Sequence, residues 1–208
     1  MVQLSPEEIQ KRKLCFTPCK TKKDLWLWIK IFLDLDMPDG RVDPSSNSSP
    51  MDLIWEVYST TLKNDENGTS RLLAYASRDS FKTLSSAILE ILMVVHMKRS
   101  VAHMAAQESQ AAKAQSYVKK FFSNPILRDF IVGDNKRKVE IVYYQSKFTK
   151  EIINQKEWEK TEYQDDYEKS ENYIAIIIGT IAGAKSEHVP YMSLDECDVI
   201  NPKAYEEA

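Results

Sequence analysis

The sequence predicts an α/β protein with a mostly parallel sheet flanked by helices. Three observations carry that prediction. Strand-like and helix-like patterns alternate through the middle of the 208 residues, as they do when helices cover the faces of a parallel sheet. A short apolar run, Leu72-Leu73-Ala74-Tyr75, leads through a tight segment into a long helical pattern that begins at Leu84. Near the end, a mostly apolar run from Val189 closes in two adjacent carboxylates, Asp195 and Glu196.

Composition bounds what the chain can be. With 43% apolar and 28% charged residues it has the balance of a soluble globular protein, and its length suffices for one α/β domain with a real core. No stretch approaches the roughly 18 to 20 apolar residues of a membrane span, and Met1–Glu8 shows no signal-peptide pattern. No membrane association is expected, and the location expected is cytoplasmic. A net charge of −3 argues against a surface that is basic all round, but it permits local basic patches. The candidates are Lys11-Arg12-Lys13 with Lys20, Lys22 and Lys23, the pair Lys98-Arg99, and Lys136-Arg137-Lys138. The competing reading of each is a solvated face. Cys15, Cys19 and Cys197 form no framework, and His96, His103 and His188 are scattered, so reduced thiols are expected and a zinc site is not.

The elements follow in order. Residues 1–20 are polar and basic, an arm or short helix. Thr21-Lys22-Lys23-Asp24 has capping-box character, and Leu25, Trp26, Trp28, Ile29, Phe32 and Leu33 then recur at helical spacing. Met37–Ser49, rich in proline and serine, is a loop. Ser49-Pro50 starts a second helix with serine as N-cap and proline at the first helical position, carrying Leu53, Ile54, Val57 and Tyr58 on one face. Asn64–Ser70 is a turn that leads into the strand Arg71–Tyr75. Residues 84–97 form a helix with Leu84, Ile88, Ile91, Leu92 and Val95 on one face. Ser100–Ala106 is a buried strand, Gln107–Phe122 an amphipathic helix, and Ile126–Val132 a short helix or turn. Val139–Tyr144 and Lys147–Ile152 are strands that could pair. Residues 154–172 are polar and acidic, a surface excursion. Tyr173–Ile178 is a buried strand, and Gly179–His188 turns the chain back into the strand that ends at Asp195.

The segment Ala76-Ser77-Arg78-Asp79-Ser80-Phe81-Lys82-Thr83 sits between strand and helix, where backbone N–H groups can converge on an anion. It reads as a deviant G-x-x-x-x-G-K-[ST] phosphate loop, with Ala76 and Phe81 in place of both glycines. Lys82 would reach the phosphates of a nucleoside triphosphate, and the Thr83 hydroxyl would ligate Mg²⁺. An ordinary amphipathic helix with an exposed first-turn lysine is the competing reading. The second motif changes the balance: Asp195 is placed to support Mg²⁺, and Glu196 to polarise the attacking water. Cofactors are therefore ATP and Mg²⁺.

Here the chain resembles the ATPase domain of the large terminase subunit of tailed bacteriophages. The resemblance runs from about residue 50 to the end, on the deviant loop Ser77–Thr83, on Ala105–Ala112 followed by Asn124-Pro125-Ile126-Leu127, and on Leu194-Asp195-Glu196. It implies a P-loop NTPase fold of the RecA/ASCE-like kind and a motor that hydrolyses ATP to package double-stranded DNA into procapsids. It implies Glu196, Arg78 and Lys185 as catalytic residues, Lys185 acting in trans, with a plain surface lysine as the competing reading of Lys185. Trp55 and Tyr58 become contacts on the adenine side, though the glutamine expected there is missing. The implied partners are double-stranded DNA, the portal protein, the small terminase subunit and further copies in a ring, in host cytoplasm with transient docking on the procapsid portal. Residues 1–48 would form a helical arm and loop, and 49–208 an ATPase core that stops before the coupling motif and the nuclease domain. A superfamily 2 helicase-like translocase and a degenerate nucleotide-binding module without turnover are the alternatives.

Overall fold

A computed structural model describes residues 4–41, 48–64, 81–179 and 189–195. The N-terminal helices start where their caps dictate. α1 (Pro6–Phe16) is entered through a reciprocal Ser5–Glu8 capping box with Pro6 in its first turn, and α2 (Lys22–Phe32) through the Thr21–Asp24 box. Each satisfies backbone N–H groups that a helix start leaves without intrahelical partners. α2 buries Leu25, Trp28, Ile29 and Phe32, the spacing of one helical face. α3 (Pro50–Asn64) begins at Ser49, whose hydroxyl accepts from the N–H of Asp52 at 3.0 Å. α4 (Lys82–Val95) is apolar nearly all round in its second half, where residues 91 to 95 are all buried, so it lies inside the fold.

The remaining elements are β1 (Val101–Ala105), α5 (Glu108–Phe121), α6 (Pro125–Arg128), β2 (Ile131–Asp134), β3 (Lys138–Ser146), β4 (Ile152–Ile153), α7 (Gln155–Trp158), β5 (Tyr167–Ile178) and β6 (Tyr191–Asp195). Among the described residues they build a six-stranded sheet in the order β2-β3-β5-β1-β6, with β4 on β3. The architecture is mixed α/β: an open sheet flanked by helices.

The expectation of a mostly parallel sheet holds for its core strands and not for the rest. β5, β1 and β6 run parallel, but β2, β4 and β5 all pair antiparallel with β3. The polar stretch 154–172 caused the misreading. It is no mere surface excursion, because α7 lies within it and β5 begins at Tyr167, six residues before its apolar run. Its first half pairs with β3 and is exposed or half-buried from Tyr167 to Glu171, as an antiparallel strand with one wet face is expected to be. Trp158, in the same stretch, stacks on Tyr144 of β3 with ring centroids 4.4 Å apart. The region 126–132, read as one helix or turn, divides into α6 and the start of β2.

One hydrophobic cluster joins the N-terminal helices to the sheet. Cys15, Phe16, Trp28 and Ile29 belong to it together with Ile54, Ile91, Tyr143 and Ile174, and the Phe16 ring meets those of Phe130 and Tyr143 at 4.8 and 4.6 Å. Arg12 secures α1 further: it is buried, and its guanidinium donates to Glu157 at 2.5 Å and to Asp129 at 3.4 Å. Residues 6–16 are thus a packed helix. Among the described residues no helix is long and apolar enough to cross a membrane.

Candidate functional site

The parallel half of the sheet ends on one line. Ala105 of β1 is in register with Ile178 of β5 and with Asp195 of β6, so the C-terminal ends of three strands come level. In open α/β sheets ligands bind outside these ends. α4 starts at the same place: the Thr83 hydroxyl donates to Asp195 Oδ2 at 2.9 Å, and Asp195 is buried at 8% exposure.

Phe81 sets the entry to α4. As N-cap it has φ 63° and ψ 16°, the left-handed region, with no side-chain cap hydrogen bond, while its carbonyl accepts from the N–H of Ser85 at 2.8 Å. Left-handed backbone costs an L-residue about 1 to 2 kcal/mol and is the usual place for glycine. Phe81 occupies the position of the second glycine in the phosphate-loop pattern, so the backbone turn remains although the glycine is gone. Lys82 follows it, half-buried.

Thr83, Lys82, Phe81 and Asp195 are therefore brought to one place. Ala76, Ser77, Arg78, Asp79, Ser80, Lys185 and Glu196 lie outside the described residues. Trp55 and Tyr58 are not brought to Thr83. Trp55 is half-buried against the core. Tyr58 is fully buried, and its hydroxyl accepts from the N–H of Cys19 at 2.8 Å and lies 2.8 Å from His96 Nδ1. His96 caps the far end of α4, about 20 Å along the axis from Thr83 at 1.5 Å per residue. The expectation that Tyr58 contacts adenine is corrected: Tyr58 is a core residue whose polar end is already engaged.

Sequence reading missed a buried acid–base pair beneath the site. His103 Nδ1 lies 2.6 Å from Glu90 Oε1, with the side chains 0% and 1% exposed. Glu90 is seven positions after Thr83, about two turns along the same helix face, and His103 is in register with Ser193, two residues before Asp195. Burial works against the imidazolium, but the Glu90 carboxylate, with Asp195 adding to it, outweighs burial and holds His103 above the ordinary histidine range. His103 Nε2, Glu90 Oε2 and Ser85 Oγ are buried without a hydrogen-bond partner. The available signal was a glutamate and a histidine each set in an apolar run.

The donor set at Thr83 and Asp195 is a hydroxyl and a carboxylate, hard oxygen ligands of the kind Mg²⁺ takes alongside waters and substrate phosphates. No group of three or more His, Cys, Asp and Glu suited to hold a metal occurs among the described residues, and a Mg²⁺ site of this kind does not require one. In comparisons with known proteins, no family model matches the chain, and no curated protein does.

Proposed function

We propose that this chain is a nucleoside-triphosphate-hydrolysing motor domain acting on double-stranded DNA, of the terminase kind. The observation that carries the reading is the hydrogen bond from Thr83 to Asp195. A hydroxyl from the first turn of a helix and a carboxylate from the end of a parallel strand meet where a triphosphate and its metal would be shared between them. The left-handed turn at Phe81 supports the same reading, because it falls where the pattern calls for glycine.

In the proposed mechanism, the N–H groups at the start of α4 and the Lys82 ammonium bind the phosphate oxygens of ATP. Thr83 and Asp195 would hold Mg²⁺, which supplies neutralisation of charge on the bridging phosphates. Glu196 orients the water for in-line attack on the γ-phosphorus, and Arg78 stabilises charge on the transferred group. Lys185 acts on a neighbouring copy, in the role that an arginine finger fills elsewhere, where it is worth on the order of 10³ to 10⁵ in rate. A monomer is accordingly slow, and the portal protein, the small terminase subunit and further copies in a ring are the proposed partners, with docking on the procapsid portal in host cytoplasm.

A nucleotide-binding module without turnover is the second reading. It is favoured by the Phe81 side chain, which adds bulk at the start of α4 where glycine would leave room.

The test is Mg²⁺-dependent ATP binding and turnover by the full chain at high concentration, compared with Lys82→Ala and Glu196→Ala. The motor reading expects wild-type turnover, lost binding in Lys82→Ala, and binding without turnover in Glu196→Ala. Binding by wild type without turnover, with or without DNA, selects the second reading. If wild type and Lys82→Ala both fail to bind, neither reading survives.

A further inference from the structure

We infer that the exposed face of α5 and the adjoining β2–β3 turn form a docking surface for the phosphate backbone of duplex DNA. Lys113 and Lys120 are exposed on α5 and stand seven positions apart, about two turns, so both project from one face across about 10 Å. That distance is the axial rise of about three phosphates on one strand. The turn between β2 and β3 presents Lys136 and Arg137, both exposed. It is shaped by Asn135, whose side-chain oxygen accepts from the N–H groups of Arg137 and Lys138 at 2.9 and 2.8 Å.

Helix and turn are fixed to each other. Gln115 Nε2 donates to the Asn135 carbonyl at 3.0 Å, and Lys119 pairs with Asp134 at 2.7 Å. Arg128 joins them, lining the same depression as Lys119 and Asp134.

Five cations of α5, α6 and the turn are left uncompensated. Of the nearby carboxylates, Asp134 is taken by Lys119, Glu140 by Lys138 at 2.9 Å, and Asp129 by Arg12 at 3.4 Å. Among the described residues no carboxylate pairs with Lys113, Lys120, Arg128, Lys136 or Arg137. On a chain of net charge −3 that excess is a local outward field suited to a polyanion. The occupant is double-stranded because the face offers no exposed ring for unpaired bases to stack on. Tyr117 is half-buried and stacked on Phe121 at 6.4 Å, and the most exposed aromatics among the described residues, Phe148 and Tyr163, lie in the segments between β3 and β4 and between α7 and β5.

The surface rests on charge and geometry, while the choice of duplex DNA also rests on the motor reading. The two fail separately, because binding is measured without nucleotide. The experiment is fluorescence anisotropy of a short labelled DNA duplex with the full chain between about 50 and 200 mM salt. Wild type is expected to bind with a log–log salt slope of about −0.9 per phosphate neutralised. Joint reversal of Lys113, Lys120, Lys136 and Arg137 to Glu is expected to cost at least about tenfold at low salt and to flatten the slope by about 3.6. Reversal of Lys156 in α7 and of Lys160 just after it is expected to leave binding unchanged. Should the fourfold variant melt early, Lys136→Gln with Arg137→Gln is used, and the slope is expected to fall by about two. Wild-type binding by these α5 and turn variants overturns the proposal, as does no duplex binding at low salt. Tighter binding of an equal-length single strand or RNA duplex overturns the choice of DNA duplex.

Discussion

Thr83 and Asp195 stand 112 positions apart in the chain, yet the hydroxyl of one donates to the carboxylate of the other at 2.9 Å. Removing the donor leaves a buried carboxylate oxygen without a partner, which costs about 1 to 3 kcal/mol. Thr83→Ala should lower the melting temperature accordingly, and Thr83→Ser should restore it. If Thr83→Ala melts like wild type, the contact carries no stability.

Phe81→Gly should stabilise the chain slightly. Relief of left-handed strain returns about 1 to 2 kcal/mol, and the greater freedom of glycine in the unfolded chain takes back about 0.5 to 1. The ring is 37% exposed, so it contributes only part of its packing. Denaturant unfolding measures the balance, and a loss of more than about 1 kcal/mol would mean that ring packing outweighs strain. Under the proposed function, the same variant should also bind ATP more tightly.

The two histidines of the core should titrate in opposite senses. His103 is raised by Glu90, so its stabilisation is fully present below the unfolded value near 6.5. It is lost as pH rises through the higher folded value. His96 is lowered to about 3 by burial. Its Nδ1 accepts from Tyr58 and its Nε2 donates to the Cys15 carbonyl, 2.8 and 3.1 Å away, an arrangement for the neutral ring. Below about 6.5 the unfolded state takes up the proton first, and stability falls by up to about 1.4 kcal/mol per pH unit. Unfolding free energy should therefore decline on the acid side through His96 and on the alkaline side through His103. Glu90→Gln should abolish only the alkaline component.

Breaking the Glu90–His103 pair from one side should be costly. His103→Leu leaves Glu90 buried without its partner, and a loss of about 3 to 5 kcal/mol is expected. Joint replacement of Glu90 and His103 by Leu should recover most of that loss. A double variant as unstable as the single would mean that packing volume, not the uncompensated carboxylate, sets the cost.

What could be read in the sequence was what local pattern determines. α2 and α3 were legible from caps and apolar spacing around Thr21 and Ser49, α5 from its amphipathic pattern between Gln107 and Phe122, and β1 from an apolar run between polar flanks. β5 was legible only from Tyr173 onward, since Glu168, Lys169 and Glu171 face water on its antiparallel half and carry no apolar signal. At the site, Thr83 and Asp195 were named together because the phosphate-loop reading pairs a hydroxyl after a lysine with a carboxylate at a strand end, and the hydrogen bond between them fits that reading. Glu90 and His103 could not be named, because only packing of α4 on β1 makes them partners. Tyr58 was misplaced for the same reason: its hydroxyl meets Cys19 and His96, which are distant in sequence.

Arg12 and Glu157 meet across 145 positions, and this bears on how the protein is made. Synthesis proceeds at about 5 to 20 residues per second, so α1 waits about seven to thirty seconds before Glu157 exists. Phe16 waits nearly as long for the rings of Phe130 and Tyr143. During that interval the nascent chain presents α1 and α2 with their inward faces unburied, which is where a chaperone would be expected to bind.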